Sequence, residues 1–196
     1  MQLNNPPIQP EIDDVQARNQ WFASLTPRQQ RIQIVHDALQ QTKELNRNVQ
    51  VKLRAGFVSF NEPAYNQTIN QSFLMTQPLC KVCAIGALMV ARIQGYDDYS
   101  MSLKWGVGRE SVYEALQGIF SKLQLALIET AYEGYEISHN WEDIEYGEEV
   151  AQAAIKLTQS CRTGQGRFRK IMRNILDHNG DFILQGFTAQ RCGVQD

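Results

Sequence analysis

The chain has few of the features that mark disulfide-stapled or membrane-bound proteins. Its 196 residues include four cysteines, too few for a disulfide scaffold, so we expect reduced thiols. The first residues carry no basic segment followed by an apolar stretch, so we expect no secretory signal. No apolar run approaches the roughly 18–20 residues that cross a bilayer. The sequence therefore predicts a cytoplasmic protein with no membrane partner.

An excess of positive charge is also missing, because the formal net charge is −2 at pH 7. This balance argues against nucleic acid as a partner. The charge is unevenly distributed, however: residues 129–149 contain eight acidic side chains and no basic one, whereas residues 162–173 contain five basic side chains and no acidic one. Either the two segments are solvated faces, with an attraction between them as one possibility, or they have binding roles. In the second case the basic segment contacts an anion, and the acidic segment mimics nucleic acid or docks on a basic protein surface.

Apolar periodicity predicts a mainly α-helical fold. Helices are expected from Thr26 onward, over residues 82–94, over residues 110–133 with a break near Gly118, over about 145–161, and over about 167–178. Alternating apolar residues predict a strand or short hairpin over residues 49–60, and residues 61–79 are predicted to form an irregular loop. The fold class that follows is a single-domain bundle of five or six helices with a small β-hairpin or short strands. Residues 1–20 are expected to form a flexible N-terminal arm, and residues 21–196 a single helical domain.

The helix over residues 82–94 is predicted to be the spine of this domain, because it has almost no polar face. Gly86 lies inside it and costs helix stability relative to alanine. A close contact with a neighbouring helix is the usual compensation, so we expect one at this position.

Three segments carry a family resemblance: CAIGAL at residues 83–88, ALIETAYEG at residues 126–134, and RFRKIMRNILDHNGDF at residues 167–182. They resemble segments of small uncharacterised proteins encoded by phages and bacterial genomes. The resemblance implies no particular chemistry. It does imply a protein of mobile-element origin, with phage–host conflict as the expected setting.

The first candidate site is a metal site. Cys80 and Cys83 have the CxxC spacing of a zinc site, but no second CxxC or HxxxH follows, and the remaining cysteines and histidines are dispersed. We therefore expect no metal and no cofactor.

The second candidate site is a cysteine nucleophile. Cys83 is placed at the start of a helix, where the macrodipole favours thiolate. His139 would then be the base and Asp143 the group that orients it. This order is similar to that of transglutaminase-like and papain-like hydrolases, although the sequence predicts no comparable sheet to hold the histidine. The competing interpretation makes Cys83 a small buried side chain.

The third candidate site is an anion site. Gly164 and Gly166 precede a basic helix, so backbone N–H groups together with Arg167 and Arg169 could hold a phosphate or carboxylate at the helix start. A lone GxG is a weak signal, and a solvated helix start is the competing interpretation. The sequence as a whole favours a non-enzymatic protein that binds a protein partner or a small anionic ligand. The alternative is a cysteine-dependent hydrolase or transferase that uses Cys83 and His139.

Overall fold

The computed structural model describes residues 14–43, 50–54, 57–60, 67–76, 79–96, 99–103, 107–135 and 146–194. Within these ranges the chain is mainly α-helical, as predicted, with a few short strands. The helices are α1 Val15–Ser24, α2 Pro27–Gln41, α3 Gln71–Thr76, α4 Ala84–Tyr96, α5 Arg109–Leu116, α6 Lys122–Glu133, α7 Glu148–Thr158 and α8 Gly164–Asp177, followed by a 3-10 turn at Gln190–Cys192. The strands are β1 Gln50–Leu53, β2 Val58–Phe60, β3 Gln67–Ile69, β4 Leu79–Val82 and β5 Met101–Leu103.

The helix count of five or six was too low, since the described residues contain eight. One extra helix is α1, which includes residues 15–20 of the predicted flexible arm; residues 1–13 lie outside the described residues. Phe22 of α1 is 1% exposed, and its ring stacks on Tyr96 with centroids 3.9 Å apart. The other is α3, six residues within the predicted loop. Tertiary packing of this kind stabilises helices whose own sequence periodicity is weak.

The helix ends that the sequence marks are confirmed. Thr26 and Gln29 form a capping box at the start of α2, with Pro27 at the first helical position. Gly118, at φ 80°, lies in the turn that separates α5 from α6. Gly134 ends α6 at φ 81°. Capping side chains and glycines with positive φ, all within a few residues of the helix ends, therefore determine where these helices begin and end.

The sequence predicts a small β-hairpin or short strands; the short strands are confirmed, and the hairpin alternative is wrong. β1 and β2 do not pair with each other; both pair with β4, β1 in parallel and β2 antiparallel, in the order β1-β4-β2. The sequence pattern predicts the end of a loop and the start of a helix where β4 lies. The strand has only four residues, and Cys83 alone separates it from α4. A separate antiparallel pair is formed by β3 and β5.

Helix α4 is the spine of the fold, and ten of its thirteen residues are buried. Gly86 makes a close contact, as expected, but its neighbour is extended chain rather than a helix. A Cβ atom at Gly86 would lie 2.1 Å from the carbonyl oxygen of Phe57, just before β2, and 3.0 Å from a methyl carbon of Val58. The small residue lets the first turn of α4 pack directly on the sheet.

Among the described residues, none of the helices combines the length and the apolar character that crossing a bilayer requires.

Candidate functional site

Cys83 lies between β4 and α4. Its N–H donates to the Phe57 carbonyl at 3.1 Å, and its own carbonyl accepts from the Ala87 N–H at 2.9 Å. The side chain is 2% exposed. Burial raises the pKa of the thiol to about 12, although the backbone N–H groups of Gly86 and Ile85 act in the opposite direction. Desolvation therefore outweighs the helix N-terminus, and the thiol is protonated at neutral pH.

Helix α6 presents a buried carboxylate near this thiol. Glu129 is 4% exposed and pairs with Arg109, whose Nη2 and Nε lie 3.0 and 3.1 Å from its two carboxylate oxygens. The Tyr113 hydroxyl also donates to Glu129, at 3.4 Å. Burial raises the pKa of Glu129, and its hydrogen bonds to Arg109 oppose that rise. The result is a polar network enclosed beside the start of α4.

Tyr132, one turn further along α6, connects Cys83 to the start of α8. Burial raises the pKa of Tyr132 to about 12; the nearby Cys83 adds to the rise and Arg167 opposes it. A Cβ atom on Gly164 would lie 2.9 Å from the Tyr132 hydroxyl oxygen, and the Arg167 guanidinium carbon lies 5.7 Å from the Tyr132 ring centroid. The hydroxyl also donates to the Arg54 carbonyl at 3.4 Å. Tyr132 therefore contacts the start of α8 and lies within electrostatic range of Cys83.

The first turn of α8 has two amides left over after capping. The Thr163 hydroxyl accepts from the Gly166 N–H at 3.1 Å, and the Thr163 carbonyl accepts from the Arg167 N–H at 3.0 Å. Gly164 and Gln165 precede these positions, and their amides have no acceptor within the described part of the chain. Free amides at a helix start favour an anion.

Arg167 and Arg169 lie on different sides of α8, because residues two positions apart in a helix are separated by about 200°. Arg167 is half-buried, and its Nε is shielded from solvent without a hydrogen-bond partner in the described structure. Arg169 is exposed. The structure therefore brings Gly164 and Arg167 to Tyr132, whereas Arg169 faces outward.

Within the described residues, no ion pair joins the acidic segment to the basic segment; residues 136–145 of the acidic segment lie outside them. Glu129 pairs with Arg109 and Glu149 pairs with Arg191. The basic side chains of residues 162–173 form no ion pair with any described residue; they are Arg162, Arg167, Arg169, Lys170 and Arg173. Their positive charge is therefore not neutralised by this part of the protein.

Comparison with models of protein families, with curated proteins and with solved structures gives no match to this chain.

Two residues of the predicted catalytic set, His139 and Asp143, lie outside the described residues. Cys80 and Cys83 are both free, buried thiols. In the ranges that the structure covers, no three His, Cys, Asp or Glu side chains gather closely enough to hold a metal ion.

Sequence reasoning missed Glu129 and Tyr132 as parts of this site. The available signal was their spacing, since they lie three residues apart on one face of a helix that is otherwise apolar there. A polar pair at that spacing, within a segment of buried residues, indicates a buried polar contact.

Proposed function

We propose that this protein is a non-enzymatic binding protein that holds a small anionic ligand at the first turn of α8. One observation supports this most strongly. The half-buried Arg167 lies over the Tyr132 ring, and its Nε is shielded from solvent without a partner among the described residues. A guanidinium donor withdrawn from water costs free energy until an acceptor reaches it.

The neighbouring groups suit an oxyanion. The amides of Gly164 and Gln165 point out of the helix start, and the guanidinium of Arg167 offers donors in a fixed plane. Gly164 has no side chain to occupy the space beside the Tyr132 hydroxyl, where a Cβ would lie 2.9 Å away. Phosphate and carboxylate groups match donors arranged in this way.

The arrangement around Cys83 gives less support to the alternative, a cysteine-dependent hydrolase or transferase. A nucleophilic thiol must ionise and be reached by its substrate. The Cys83 thiol is 2% exposed and its pKa is raised to about 12. A binding role in phage–host conflict, toward a small anion or an anionic group on a partner protein, stays the proposed setting.

The test is a thermal shift assay of the purified protein against inorganic phosphate, nucleotides and cyclic nucleotides. A ligand that binds only the folded state raises its stability, by about 2.7 kcal/mol at one hundred times Kd. We expect at least one phosphate compound to raise the Tm of the wild type. The Arg167→Ala/Arg169→Ala variant should keep its fold and lose the shift.

Arg173→Ala is the matched control, because it removes an exposed cation of the same helix away from the first turn. This variant should keep the shift. A panel that produces no shift would refute the proposal, and so would an equal loss in Arg173→Ala, which would indicate general charge attraction.

A further inference from the structure

A cavity opens away from the site at α8, between the first turns of α2 and α6. Its volume is about 470 Å³, within the range of small-molecule pockets. Thr26 and Arg28 line it from α2, Ile119 and Phe120 from the turn after α5, and Ser121 and Gln124 from the start of α6. None of these residues belongs to the site at α8.

The cavity contains a buried donor without a partner. Gln124 is 1% exposed, and its Nε2 makes no hydrogen bond within the described structure. Its backbone N–H is satisfied by the Ser121 hydroxyl at 3.1 Å, so only the side chain is left over. A buried amide with no acceptor is destabilising by itself, and Gln124 lines the cavity, so an acceptor that reaches its Nε2 from there would remove this cost.

The surrounding charge favours a negatively charged acceptor. Arg28 and Arg31 both contact Asp181, which leaves one positive charge in excess in this group. Each nitrogen of the Arg31 guanidinium already has an acceptor, because Nε and Nη1 donate to the carbonyls of Gly180 and Ile119 and Nη2 donates to Asp181. Arg28 is 46% exposed and gives only its Nη2 to Asp181, so its other donors remain for a ligand.

The helix geometry adds to this field. Thr26 caps α2 and Ser121 caps α6, so the positive ends of two helix dipoles face the same cavity. We infer that this cavity binds a small ligand through a carboxylate or phosphate group, with Gln124 Nε2 and Arg28 as the donors that recognise it.

The test is a titration of ¹⁵N-labelled protein with inorganic phosphate, succinate and benzoate, followed through the side-chain amide resonances of Gln124. Those resonances are assigned by their absence in Gln124→Met. We expect one of the three probes to shift them with a saturable curve. Comparing the shifts caused by phosphate with those caused by succinate and benzoate shows whether the cavity prefers a phosphate or a carboxylate. Uncharged benzamide is the control and should not bind.

The variants separate recognition from folding. Gln124→Met has nearly the same volume and removes the donor, so it should weaken probe binding, read from backbone amides, by about tenfold or more. Gln41→Met is the matched control, since Gln41 is a buried glutamine with an unpaired Oε1 that does not line this cavity. It should bind the probe like the wild type.

Arg28→Gln provides a second test that does not depend on the folding of Gln124→Met. Arg31 keeps its own contact with Asp181 in this variant, and probe binding should again weaken. Arg167→Ala/Arg169→Ala should leave the affinity of this cavity for the probe unchanged. Binding in the cavity can therefore be told apart from binding at the first turn of α8. The inference is overturned if no probe shifts the Gln124 resonances, or if Gln124→Met or a folded Arg28→Gln binds with wild-type affinity.

Discussion

At the scale of single residues, Gly86 shows how one missing side chain joins a helix to a sheet. The Phe57 carbonyl that accepts the Cys83 N–H is the same group that a Cβ atom on Gly86 would strike, at 2.1 Å. That carbonyl is main chain and cannot swing aside as the end of a flexible side chain can. The hydrogen bond and the close packing therefore both require glycine.

Gly86→Ala should consequently destabilise the protein, by about 1–3 kcal/mol, because the added methyl group overpacks this contact. Gly95→Ala is the control in the same helix, where a Cβ would meet only an Asp37 carboxylate oxygen at 3.6 Å. That variant should be unchanged or stabilised by up to about 1 kcal/mol. Urea denaturation measures both, and an unchanged midpoint for Gly86→Ala would show that the contact with Phe57 is not made.

Cys83 illustrates a competition between two effects on one thiol. The start of a helix favours thiolate, whereas burial favours thiol, and here burial raises the pKa to about 12. The sequence shows the first effect in the position of the cysteine. The second depends on the burial of the side chain, which exists only in the folded chain.

A thiol reagent at neutral pH should therefore label Cys161, which is half-buried, before Cys83. Labelling of Cys83 should require unfolding, and peptide mapping by mass spectrometry after timed exposure, with and without urea, distinguishes the sites. Rapid labelling of native Cys83 that is lost in His139→Ala would contradict this expectation and support a cysteine enzyme.

At the scale of elements, a buried ion pair between Arg31 and Asp181 joins α2 to the segment after α8. The Arg31 guanidinium donates to Asp181, and also to the carbonyls of Gly180 and Ile119, each at 2.7 Å. Asp181 is 5% exposed. One cation thereby holds together the start of α2, the turn after α5 and the chain that leaves α8.

Asp181→Asn should destabilise the protein by about 3–5 kcal/mol, since it leaves the Arg31 charge buried without its counter-ion. Glu149→Gln removes a carboxylate from an exposed pair with Arg191 and should cost less than about 1 kcal/mol. Chemical denaturation compares the two variants. Equal, small losses would mean that the Arg31–Asp181 pair is solvated in solution.

The elements that the sequence predicts well are those with local signals. The Thr26 capping box and the glycines at 118 and 134 lie within a few residues of the helix ends that they set. β4 has no such signal, because a four-residue strand that continues into an apolar helix has no pattern of its own. Its place between β1 and β2 depends on long-range pairing, which the hydrophobic pattern leaves open.

At the scale of the whole molecule, the candidate site is assembled by topology. The cysteine at a helix start and the glycines before a basic helix were each predicted from short motifs. Their spatial relation depends on α6, whose Tyr132 lies against Gly164 and within electrostatic range of Cys83. Short motifs contain no information on that distance, so the sequence predicted the parts of the site without their arrangement.

The central claim is that the first turn of α8 binds an anion. The most direct test is an NMR titration of ¹⁵N-labelled protein. The titrant is inorganic phosphate or the phosphate compound that gives the largest thermal shift. We predict saturable shifts of the Gly164 and Gln165 amide resonances, because their N–H groups are the donors left free at this helix start. The same titration of Arg167→Ala should show these shifts lost or greatly weakened. Unshifted Gly164 and Gln165 amides at saturating ligand, with or without changes elsewhere, would contradict the account.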